Sequence, residues 1–185
     1  MPDRTFWLNY WRGIYEVPRA WAMKGENLFH AFEAVAAGSD SGLMQFNMRD
    51  QALMLAGMSV EVMMKALIVN DTHSRELVSG VKKPATALEN DLVKAFYSHN
   101  LVALAAPASV PLSKLQADIA GALSTYIYWR GRYVMPTERG IDDIIPIEND
   151  AGLVGPPDRH VSYSEAREVI HYVIATVQAR LGNKA

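Results

Sequence analysis

Leu53–Val69 reads LMLAGMSVEVMMKALIV, almost wholly apolar yet carrying Glu61 and Lys65 four residues apart. On a helix that spacing places the acid and the ammonium one turn apart on the same side. A helix apolar nearly all round belongs inside a bundle, where charges are costly unless they pair or face a cleft. The stretch predicts a central bundle helix. Its two charges form either an internal ion pair that sets register or the wall of a polar cleft.

Working outward, this helix is expected from about Asn47, as N-cap with Asp50 in the first turn, to Val69, ending at the polar NDTHS of residues 70–74. Upstream, Trp21, Leu28, Phe32 and Val35 mark a helix over Arg19–Ala37 with Gly38 as its stop, followed by a polar GSDSG loop. Downstream, Thr86 with Glu89 forms a capping-box pattern before Leu88, Leu92 and Phe96, and Ser98 is placed to cap a short turn over His99–Ala106. Ser113 with Gln116 repeats the pattern before Leu115, Ile119, Ala122, Leu123 and Tyr126, a helix expected to reach Tyr133. Ser162 with Glu165 repeats it again before Ala166, Val169, Ile170, Val173, Val177 and Leu181, with Gly182 as the stop.

No region shows sustained alternation bounded by hairpin turns, so the fold expected is all-α. It is an up-and-down bundle of four to five helices forming one domain over residues 1–185. Residues 134–161 form a long irregular excursion before the last helix, interrupted by Pro136, Pro146, Pro156 and Pro157. Its IDDIIPIEND segment suits a short extended piece laid on the bundle or a surface loop. Six acids (Glu138, Asp142, Asp143, Glu148, Asp150, Asp158) face only Arg139 and Arg159 there. The excursion is therefore acidic and the helical body mildly basic, within a formal charge of −2. That balance gives no general attraction for DNA.

The absence of cysteine excludes thiolate metal sites, iron–sulfur clusters and cysteine nucleophiles. There is no phosphate-loop glycine pattern, no GxSxG elbow and no HxxxH pair. No metal and no cofactor are expected. The start, MPDRTFWLNYWRG, lacks the order of a secretory signal, and Glu61 and Lys65 break the strongest apolar run, so a cytoplasmic protein without a membrane span is expected. Phe6, Trp7, Tyr10, Trp11 and Tyr15 crowd the N-terminus as a segment expected to dock over the bundle.

SVEVMMKAL at Ser59–Leu67, SHNL at Ser98–Leu101 and WRGRYVMP at Trp129–Pro136 together resemble the HEPN superfamily, the higher eukaryotes and prokaryotes nucleotide-binding domain, over roughly residues 47–136. The resemblance implies a four- or five-helix bundle, frequent homodimers, and a neighbouring nucleotidyltransferase or a role in RNA-targeting defence or toxin–antitoxin systems. Ribonucleases of that superfamily carry an arginine and a histidine separated by four to six residues. This chain departs from the pattern, since no histidine has an arginine separated from it by four to six residues upstream; the nearest spacing is Arg167, with three residues before His171. Arg167 and His171 sit at i and i+4 and can share a helix face, which reads far more readily as an exposed flank than as a catalytic pair.

The remaining candidates are Glu61, Lys65, His99, Arg130, Arg132 and Tyr133. His99 falls at a helix start, where it either bonds backbone as a structural histidine or meets Glu61 across the bundle. Arg130 and Arg132 complement the carbonyl end of their helix, or grip phosphate while Tyr126, Tyr128, Trp129 and Tyr133 stack a base. The expected function is a noncatalytic, homodimeric module binding a nucleotide, an RNA end or a protein through these residues. One alternative is a metal-independent endoribonuclease in which His99 or His171 moves protons and Arg130 or Arg132 steadies the phosphorane. The other is a partner of a nucleotidyltransferase with no ligand of its own.

Overall fold

The computed structural model describes residues 17–39, 45–130, 147–149, 152–154 and 161–182. It is an all-α helical bundle built from α1 (Pro18–Ser39), α2 (Gln45–Asn70), α3 (Thr72–Val78), α4 (Ala87–Tyr97), α5 (Leu101–Ala105), α6 (Lys114–Thr125) and α7 (Tyr163–Leu181). A single π-helical turn, Tyr126–Arg130, continues α6. Within the 134–161 excursion, β1 (Ile147–Asn149) pairs antiparallel with β2 (Gly152–Val154), Ile147 opposite Val154 and Asn149 opposite Gly152. The excursion is thus not wholly irregular: the IDDIIPIEND segment supplies one strand of a short hairpin.

α2 is the central element, packed against α1, α3, α5, α6, the π-turn and α7. From Ser59 to Val69 every residue is buried, as its composition demands. Leu53, Val60, Met63, Met64 and Ile68 join Phe32, Phe96, Leu104, Ile119, Leu123, Val169 and Val173 in one contiguous core. Each such side chain contributes about 1.5–3 kcal/mol on leaving water. Among the described residues, Met48–Asn70 is the one helix long and apolar enough to cross a membrane, and 83% of its most apolar window is buried inside the protein. Its apolar surface is already covered by neighbouring helices.

α1 approaches α2 closely at Gly25. A Cβ there would stand 2.5 Å from Met63 Cγ, and the Gly25 carbonyl accepts a 2.8 Å hydrogen bond from Ser59 Oγ. At the far side of α1, Arg167 of α7 donates from Nε and Nη2 to the two Glu33 oxygens at 2.6 and 3.0 Å, and its guanidinium lies 5.6 Å from the Phe32 ring centroid.

All three capping boxes form as the sequence predicts, Thr86 with Glu89, Ser113 with Gln116 and Ser162 with Glu165. Other boundaries differ. α2 begins at Gln45, which puts Asn47 inside the helix instead of at its cap. α1 runs past Gly38 to Ser39. The polar NDTHS does not open a loop, because the Asp71 carboxylate accepts from the Ser74 N–H at 2.8 Å and starts α3. That same bond holds the Asp71 carboxyl below the ordinary aspartate value. The cap of α5 is Asn100, with Ser98 Oγ bonding the Ala95 carbonyl and the Asn100 N–H instead. Leu88 and Leu115 occupy the first turns of their helices beyond the reach of the core and stay exposed, at 80% and 53%. The aromatic cluster Phe6–Tyr15 lies outside the described residues.

Candidate functional site

Glu61 and Lys65 are buried on α2, and Lys65 Nζ donates to Glu61 Oε1 at 2.6 Å. Desolvating a carboxylate is tolerated only when both oxygens are satisfied. The second oxygen, Oε2, stands 3.0 Å from His99 Nδ1. Lys65 gains a further contact, its ammonium lying 5.3 Å from the centroid of Phe96. Phe96 is itself held edge-on by Trp21 at 5.8 Å and by Tyr97 at 5.4 Å.

His99 reaches this pair because the corner between α4 and α5 is pinned from both ends. Asn100 accepts from the Ala103 N–H at 3.0 Å and starts α5. The next N–H, of Leu101, donates to Ser124 Oγ on α6 at 3.0 Å, and that hydroxyl donates on to the Ala120 carbonyl at 2.8 Å. The His99 side chain remains 36% exposed, so the ring is a half-open lid over a buried ion pair.

The π-turn supplies the outer wall. Tyr128 presents a ring 5.4 Å from that of His99, with the two planes 87° apart, and is 49% exposed. Widened helical turns of this kind recur at functional sites, since one extra residue re-aims the side chains that follow. The turn sits hard against α2 at Gly57, where a Cβ would come within 2.8 Å of Ile127 Cγ1 and 3.0 Å of the Leu123 carbonyl oxygen. Only glycine permits that approach without displacement.

A carboxylate only accepts hydrogen bonds, so in the neutral imidazole Nδ1 carries the hydrogen and donates to Glu61. Nε2 then keeps its lone pair, and no hydrogen bond from a described residue occupies it. The recess therefore offers an oriented acceptor beside an exposed aromatic face, above a neutralised pair of charges.

Of the residues anticipated from sequence, Glu61, Lys65 and His99 come together here. Arg130 ends the π-turn, but its side chain, like Arg132 and Tyr133, lies outside the described residues. Tyr128 stood only among the aromatics around the arginines, and nothing in spacing alone marks it, because its placement depends on the π-turn. Arg167 and His171 both turn toward α1, Arg167 to Glu33 and His171 edge-on to Phe29 at 5.1 Å. That contact ties the bundle together and keeps the pair apart from the recess.

A separate polar cluster bridges α3 and α4. His73 Nε2 lies 2.8 Å from Glu89 Oε1 and its Nδ1 lies 3.1 Å from Lys82 Nζ. An open concavity of about 350 Å³, lined by Arg75, Glu76, Ser79 and Val81, lies on the same side and shares no residue with the recess. Among the described residues no group of three or more His, Asp or Glu could hold a metal ion.

No family model, no curated protein and no solved structure matches this chain.

Proposed function

We propose that this protein is a noncatalytic HEPN-like helical bundle that binds a nucleotide or an RNA end at the recess of Glu61, Lys65, His99 and Tyr128. The observation that carries the reading is the contact of His99 with Glu61, which leaves an oriented Nε2 beside the exposed ring of Tyr128. An aromatic face stacks any base, and an adjacent hydrogen-bonding atom orients it. Binding without turnover is favoured because Lys65, the cation of the recess among the described side chains, is committed to Glu61 and Phe96. Isothermal titration of the full chain with AMP tests the reading. Saturable binding, weakened by His99→Ala and by Tyr128→Ala in proteins of unchanged fold, supports it; no heat from any nucleotide or short RNA sinks it. The resemblance also implies a homodimer, which molar mass by light scattering checks.

One observation favours a second reading, a metal-independent endoribonuclease. A histidine whose Nδ1–H is held by a buried carboxylate has the arrangement of a general base, with Nε2 available to take a proton from a ribose 2′-hydroxyl. Incubation with RNA in EDTA separates the two. Intact RNA supports the binding module, whereas cleavage abolished by His99→Ala establishes the nuclease.

A further inference from the structure

The two rings and the bonded histidine restrict which ligand edge the recess accepts. His99 and Tyr128 form a right-angled corner, 5.4 Å between centroids and 87° between planes, with both rings partly open to solvent. A planar ring stacked on Tyr128 lies perpendicular to the imidazole. A hydrogen bond to Nε2 lies in the imidazole plane, which the 87° angle sets across the plane of a base stacked on Tyr128.

What Nε2 can do is decided one step further in. Lys65 occupies Glu61 Oε1, so the carboxylate meets His99 through Oε2 and, having no hydrogen to give, must receive one from Nδ1. The neutral imidazole is then confined to the tautomer whose Nε2 is an acceptor. The buried acid reads no ligand itself. It sets the polarity of the atom that does.

We infer that the recess selects a nucleobase offering an amino hydrogen at its edge, adenine, cytosine or guanine, because Glu61 holds His99 as an Nε2 acceptor. This rests on the nucleotide-binding reading above. A base edge with no donor hydrogen, as in unsubstituted purine, leaves the Nε2 lone pair unanswered, and unmade hydrogen bonds in partly desolvated sites are costly to binding. Glu61 is thus a positioning residue, and Tyr128 supplies affinity that is indifferent to the base.

The test uses the full chain at pH 8 with two probes identical except for the amino group, AMP and purine riboside 5′-monophosphate. The wild type is expected to bind AMP about tenfold more tightly. In Glu61→Gln the amide oxygen keeps the Lys65 bond while the amide N–H donates to Nδ1, so Nε2 becomes a donor and the two affinities are expected to converge. Equal affinities in the wild type overturn the inference and leave the nucleotide reading intact. A preference for AMP that survives Glu61→Gln also overturns it, since the selection would then not run through Glu61. Binding of neither probe overturns the inference and the nucleotide reading together. Should Glu61→Gln fail to fold, a long-range ¹H–¹⁵N spectrum of the wild type decides the same point: His99 protonated at Nδ1 is expected, and protonation at Nε2 alone overturns it.

Discussion

Glu61 and His99 stand 38 positions apart in the chain and 3.0 Å apart in space, joining the middle of α2 to the corner between α4 and α5. The contact converts a local helical ion pair into a three-residue arrangement that spans the bundle. Its consequences for stability and for binding are separable by experiment.

Removing Lys65 leaves Glu61 desolvated with one partner in place of two. We expect Lys65→Met to cost about 3 kcal/mol, since breaking one side of a buried pair strands the other charge. Combining it with Glu61→Leu should recover much of the loss, because the double variant buries no uncompensated charge. Urea unfolding with an unchanged m-value measures both. A cost below about 1 kcal/mol for the single variant would mean that the pair behaves as a solvated one.

Gly57 and Gly38 are expected to respond in opposite directions. Gly57→Ala drives a methyl into Ile127 and the Leu123 carbonyl, at a cost of about 1–3 kcal/mol, and shifts the π-turn that carries Tyr128. Gly38→Ala in α1 meets nothing within 4 Å and, lying in the last turn, should gain at most about 0.5 kcal/mol from helix propensity. Thermal melts of the two variants side by side give the comparison. Equal melting temperatures would contradict the close approach at Gly57.

Tyr128 should matter for binding and little for folding, being half exposed. Stacking of a base on an aromatic ring is worth about 1–3 kcal/mol, so Tyr128→Ala is expected to weaken AMP binding by roughly 5- to 150-fold. The melting temperature of the unliganded protein should stay within a few degrees. A large drop in melting temperature with no change in affinity would reverse the assignment.

Glu89 provides an acid-sensitive element far from the recess. The N–H of Ala85 at 2.7 Å, opposed by partial burial and aided by the N–H of Thr86, His73 and Lys82, holds its carboxyl below the ordinary glutamate value of 4.5. A depressed carboxyl contributes stability above its unfolded value and loses it as pH falls through the folded one. The melting-temperature advantage of wild type over Glu89→Gln should therefore shrink from about pH 6 to about pH 3. A constant gap would show that the bonds of Glu89 are indifferent to its charge.

What the sequence reveals here is what depends on short spacing. Thr86–Glu89, Ser113–Gln116 and Ser162–Glu165 are local devices, each closed over three residues, and all three form. Glu61 with Lys65 is equally local, whereas its meeting with His99 is one of two alternatives for that ring, because a contact across 38 positions is set by tertiary packing. The start of α3 was hidden because Asp71 serves both as the polar end of one helix and as the cap of the next. Leu88 and Leu115 fit their apolar stripes but lie a turn too early to find neighbours. Tyr128 depends on a π-turn permitted by Gly57, a tertiary fit that no periodicity encodes.

The charged pair on α2 also acts before the bundle exists. On the ribosome α2 emerges well ahead of α6 and α7, so for a time its Met48–Asn70 window is bare and apolar enough to be taken for an insertion signal. A lysine in such a segment adds up to about 2.5–3.5 kcal/mol to entry into a bilayer at its centre and less toward its ends, where Lys65 lies. Lys65 and Glu61 thus make the bare helix a poorer membrane segment than its apolar neighbours alone would, before the later helices cover it.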